Sequence, residues 1–86
     1  MNRKQLKTLD SIFAVPTRAN IKFGDLEKLM SALEAELIEG RGSGIAFVMP
    51  SGLKWEAHRP HLQKEAKKYQ IESLRDFLVL AGVRDE

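Results

Sequence analysis

The chain has 86 residues, 43% of them hydrophobic and 30% charged, with no cysteine and a net charge of +2. That length holds one core of globular composition, and it excludes disulfides, thiolate metal sites and a cysteine nucleophile. No apolar run approaches the roughly 20 residues of a membrane helix, and residues 1–15 carry charges where a signal peptide would be apolar, so a cytoplasmic protein with no membrane contact is expected.

The small net charge hides segregation. Residues 1–22 carry +4, residues 23–39 carry −4, residues 40–69 carry +4 and residues 70–86 carry −2. The basic middle block also holds both histidines, His58 and His61. A basic block suits a polyanionic partner, and acidic blocks suit solvated faces or a protein partner.

Arg3 to Ala14 reads as a short helix, with Leu6, Leu9 and Phe13 at helical spacing and Pro16 as its stop. Residues 16–23 form a connector. A second helix is expected from Asp25 to Leu33, where Leu26, Leu29, Met30 and Leu33 fall at i, i+3, i+4 and i+7, with Gly24 as its cap. The period then changes to two. Leu37-Ile38 begins a short strand, Gly40-Arg41-Gly42-Ser43-Gly44 is a tight connection, and Ile45–Met49 is a second strand. Pro50-Ser51-Gly52 turns the chain into a third strand, Leu53–Ala57, antiparallel to the second. Leu53, Trp55 and Ala57 share one face of it, and Lys54, Glu56 and His58 share the other. Arg59-Pro60 ends the sheet. Residues 61–69 read as a polar, basic segment, and a last helix from Ile71 to Ala81 stops at Gly82. Helices with a three-stranded antiparallel sheet give an α+β, two-layer fold with one sheet face open or covered by a partner.

The densest chemical cluster is His58-Arg59-Pro60-His61, flanked by Lys54, Lys64, Lys67 and Lys68. A metal-free ribonuclease needs a base for the 2′-hydroxyl, an acid for the leaving oxygen and cations for the phosphate. Histidine can serve as base or acid near neutral pH, and arginine and lysine stabilise the phosphate charge. Two histidines on a basic loop are also what an ordinary surface provides. Zinc would need three or four ligands and the sequence offers two histidines and no H-E-x-x-H pattern, so no metal and no cofactor is expected. The glycine-rich connection is not a P-loop, because no Gly-Lys-Ser/Thr follows and a strand replaces the helix. Trp55 reads as core, and Tyr69 is a weak candidate for stacking on a base.

The order of these segments resembles the HicA family of bacterial toxins. The resemblance rests on Asp25–Leu33, Arg41-Gly42-Ser43, Phe47, Pro50-Ser51-Gly52, Arg59-Pro60-His61, Lys64-Glu65 and Leu74–Val83, and spans residues 21–84. It implies a double-stranded-RNA-binding-domain-like fold over residues 21–86, with residues 1–20 as an N-terminal helical extension. It further implies a messenger-RNA interferase of a toxin–antitoxin system, with RNA as substrate and a HicB-like antitoxin protein as partner. The family carries its catalytic histidine directly after the Gly-Ser pair, and here that position is Gly44. The acid–base role therefore falls to His61, with His58 as its partner. Arg41, Ser43, Lys54, Arg59, Lys64, Lys67 and Lys68 become the RNA-binding set. The alternatives are a catalytically silent module of the same fold that holds RNA or an antitoxin, and an interaction protein that meets no nucleic acid.

Overall fold

The N-terminal helix starts where its own side chains satisfy it. In the computed structural model, which describes residues 1–85, Asn2 accepts a hydrogen bond from the Gln5 N–H (2.8 Å) and Gln5 accepts one from the Asn2 N–H (2.9 Å). This reciprocal box opens α1, Arg3–Ile12. The helix ends two residues before the sequence pattern suggests. The Arg75 guanidinium takes the carbonyls of Ile12 (2.9 Å) and Ala14 (3.1 Å), which orients the chain away from the helix axis.

Helix α2 spans Phe23–Ala32, so it begins two residues before the expected Asp25 and its cap is Lys22, not Gly24. Tertiary contacts move the boundary. Phe23 is buried, and its N–H donates to the Lys64 carbonyl at 2.9 Å. At the other end Glu34 sits in the left-handed region (φ 65°), and the Ala35 N–H reaches back to the Met30 carbonyl at 3.0 Å, a six-to-one closure that turns the chain into the sheet.

Strands β1 (Glu36–Glu39), β2 (Gly44–Val48) and β3 (Lys54–His58) form an antiparallel sheet in the order β1-β2-β3. Leu37, Phe47 and Trp55 are in register across it, as are Gly44 and His58 at its far end. Ile45, Phe47, Trp55 and Ala57 are buried against the helices, while Lys54, Glu56 and His58 are exposed. The alternation read from the sequence is thus the alternation between core and open face. Trp55 is core as expected: its ring stacks on Phe47, and its indole N–H donates to Ser73 Oγ at 3.1 Å.

Helix α3, Lys68–Leu80, starts three residues before Ile71. The polar look of Lys67–Gln70 is misleading because Gln70 points inward. It is 4% exposed and donates to the His58 carbonyl at 3.0 Å. Gly82 (φ 77°) closes α3 as expected, with the Val83 N–H on the Leu78 carbonyl at 3.0 Å. The helix expected as an extension is continuous with the core. Leu9 and Ile12 belong to the same buried cluster as Leu26, Phe47 and Leu74, and α1 packs on both α2 and α3. No helix among the described residues is long and apolar enough to cross a membrane.

Candidate functional site

The open sheet face ends at the first residue of β2 and the last of β3. There the Gly40–Ser43 turn brings Ser43 Oγ to 3.5 Å from His58 Nδ1, a long contact whose donor depends on the imidazole tautomer. The Ser43 carbonyl accepts the Arg59 N–H at 2.9 Å, which fixes the chain on the far side of His58. Gln70 fixes it from beneath through the His58 carbonyl. The backbone of His58 is therefore held from two directions while its ring stays exposed.

Gly44 is the cross-strand partner of His58. A side-chain carbon placed on Gly44 would stand 3.7 Å from His58 Cε1 and 3.9 Å from its Nδ1. The imidazole of His58 thus occupies the neighbourhood that a side chain at position 44 would share. Along β3, Lys54, Glu56 and His58 point to the same side, and together with Ile38 and Gly44 they border a shallow depression of about 340 Å³. Alternate strand residues lie roughly 6.5 Å apart, so Glu56 and His58 are neighbours on this face. The Lys54 ammonium lies 3.9 Å from the Glu56 carboxylate, both exposed.

The structure separates the two histidines. His58 ends a strand, whereas His61 lies in the exposed bend after Pro60, and no hydrogen bond joins them among the described residues. Arg59, expected at phosphate, is engaged internally. Its guanidinium donates to both Glu27 oxygens (3.0 and 3.3 Å) and to Glu39 (2.6 Å). Glu27 first, then Glu39, raise its pKa above the usual arginine value, so it is a permanent cation pinned between α2 and β1. Its sequence neighbours gave no hint of this, since Glu27 lies 32 positions away.

Arg41 is exposed in the turn beside Ser43. Lys67 and Lys68 are exposed at the start of α3, and Lys64 is exposed beside the start of α2, where its carbonyl holds Phe23. The cations expected to contact RNA therefore divide, with Arg41 at the His58 end of the sheet, Lys54 at the opposite end of β3, and Lys64, Lys67 and Lys68 on the helical side. Sequence reasoning left out Glu56 and Gln70. The two-residue period of β3 placed Glu56 beside His58, but the inward turn of Gln70 had no local signal. Among the described residues no three metal-ligating side chains come together.

No family model, no curated protein and no solved structure matches this chain.

Proposed function

We propose that the protein is an RNA-binding domain that cleaves RNA without a metal, with His58 at the reacting phosphate. The observation that carries this reading is the cross-strand pair Gly44–His58. It sets an exposed imidazole, anchored through its backbone, against a glycine with no side chain to obstruct a phosphate. In this reading Glu56 accepts the proton of the 2′-hydroxyl as that oxygen attacks phosphorus. Imidazolium His58 gives its proton to the leaving 5′-oxygen. The products are a 2′,3′-cyclic phosphate and a free 5′-hydroxyl. Lys54 and Arg41 stabilise the extra negative charge, and Ser43 orients His58. His61 stands aside from this chemistry, which moves the principal acid–base role from His61 to His58.

The resemblance to the HicA toxins supports the same reading and adds its cellular setting: a toxin component whose HicB-like antitoxin covers the basic surface. A second reading is favoured by Gly44 itself, which stands where that family carries its histidine: the fold binds RNA and does not cut it. The deciding experiment is cleavage of a labelled messenger RNA in EDTA by the wild type, His58→Ala and His61→Ala. Cleavage lost in His58→Ala and kept in His61→Ala supports the proposal. Cleavage that survives His58→Ala removes it, and RNA binding with no cleavage by the wild type supports the silent module.

A further inference from the structure

We propose that the lysine-rich surface on the helical side of the molecule, built by α1, the 17–22 connector and the start of α2, binds the phosphate backbone of RNA. It is separate from the open sheet face and includes the helix that the family resemblance leaves unassigned. Two adjoining depressions define it. One, of about 470 Å³, is bordered by Lys4, Lys22, Lys28 and Lys64, and the other, of about 440 Å³, by Lys4, Lys7 and Arg18. Lys4 belongs to both, so the cations form one continuous surface.

The cations there outnumber the carboxylates. Among the described residues none of these six cations forms an ion pair. The acidic groups in the same depressions are Asp25 and Glu27, and Glu27 is already bound to Arg59 at 3.0 Å. Lys4, Lys7 and Ser11 recur at i, i+3 and i+7, which puts them on one side of α1. Folding has therefore collected cations from four chain segments with no partner inside the molecule.

The chemistry between the cations selects the ligand. Thr8 and Ser11 line the same depressions but give their hydroxyl protons to the Lys4 and Lys7 carbonyls, so the donors left for phosphate oxygens are the lysines, Arg18 and the Asn20 amide. A protein partner would need an apolar centre to the interface. The large apolar residues here, Ile21 and Phe23, are buried and spent on the core. A surface with charge and hydrogen-bond donors but no exposed apolar anchor suits a phosphate chain better than an acidic protein. Pro60 and Lys64 border it a few residues after His58 in the chain.

The proposal rests on the RNA reading above for its ligand and is independent of cleavage. It is tested with 2′-O-methyl RNA, which lacks the attacking hydroxyl, so that binding is read without cutting. Binding is titrated over a range of salt for the wild type, Lys4→Gln/Lys7→Gln/Arg18→Gln, and the charge-preserving Lys4→Arg/Lys7→Arg/Arg18→Lys. Circular dichroism confirms that each variant is folded. Each lost phosphate contact lowers the slope of log affinity against log salt by about 0.7, so the neutral triple variant loses about 2 and binds roughly fiftyfold more weakly at physiological salt. The charge-preserving variant keeps the wild-type slope. An unchanged slope in the folded neutral variant overturns the proposal while leaving the reading of His58 intact. Poly-glutamate bound as tightly as RNA, or no RNA binding by the wild type, overturns it as well. Loss of cleavage in His58→Ala with the slope preserved separates the two sites.

Discussion

Two glycines only two positions apart should respond to alanine in opposite directions. Gly44 starts β2 with a φ outside the left-handed region, and an added carbon would meet Arg41 O at 3.5 Å and His58 Cε1 at 3.7 Å, ordinary van der Waals distances. Gly44→Ala therefore removes unfolded-state freedom without a clash, a gain of about 0.5–1 kcal/mol. For a domain of this size 1 kcal/mol moves Tm by about 4–8 °C, so the expected rise is roughly 2–8 °C. Gly42 has φ +63° and nothing within 4 Å of an added carbon, so Gly42→Ala is decided by the backbone alone. A left-handed alanine costs about 1–2 kcal/mol, and Tm should fall by roughly 4–16 °C. Thermal unfolding followed by circular dichroism, with urea titration as a check, measures both. The same Gly44→Ala variant should cut RNA at least about tenfold more slowly, because its methyl stands against the His58 ring where a phosphate would enter. A lower Tm for Gly44→Ala refutes the register of β2 on β3. A higher Tm with unchanged cleavage refutes the glycine as the point of approach.

Two further perturbations test how the helices and the ion pairs position the site. Arg75→Ala removes hydrogen bonds to the Ile12 and Ala14 carbonyls and to Thr17 Oγ1, and should cost about 2–4 kcal/mol in urea unfolding, with faster amide exchange over residues 12–17. A loss below about 0.5 kcal/mol would show that α1 docks through Leu9 and Ile12 alone. Glu27→Gln/Glu39→Gln releases the Arg59 guanidinium from both carboxylates, and RNA binding should tighten roughly fourfold at physiological salt as one more phosphate contact becomes available. Weaker binding in that variant would mean that the ion pairs themselves hold the surface in its binding shape.

Local patterns specify α2, β3 and α3 and the face each one buries, whereas in α1 the expected stripe of Leu6, Leu9 and Phe13 gives way to Leu9 and Ile12, with Leu6 exposed. The stripe Leu26, Leu29, Met30 and Leu33, the alternation Leu53 to His58 and the stop at Gly82 are local patterns, and spacing alone selects their geometry. The cluster of titratable residues at His58–His61 is likewise a feature of the sequence alone. Tertiary structure decided the rest, because those outcomes depend on groups far apart in the chain. Helix starts moved to Phe23 and Lys68 where burial of Phe23 and Gln70 outweighed local propensity. Arg59 became an internal cation because folding brought Glu27 and Glu39 to it. His58 was set opposite Gly44 by strand register, which no local window contains. The lysines of α1 and α2 became one surface only when α1 docked on the core. Periodicity tells a residue which side to face, and only packing tells it what it will face there.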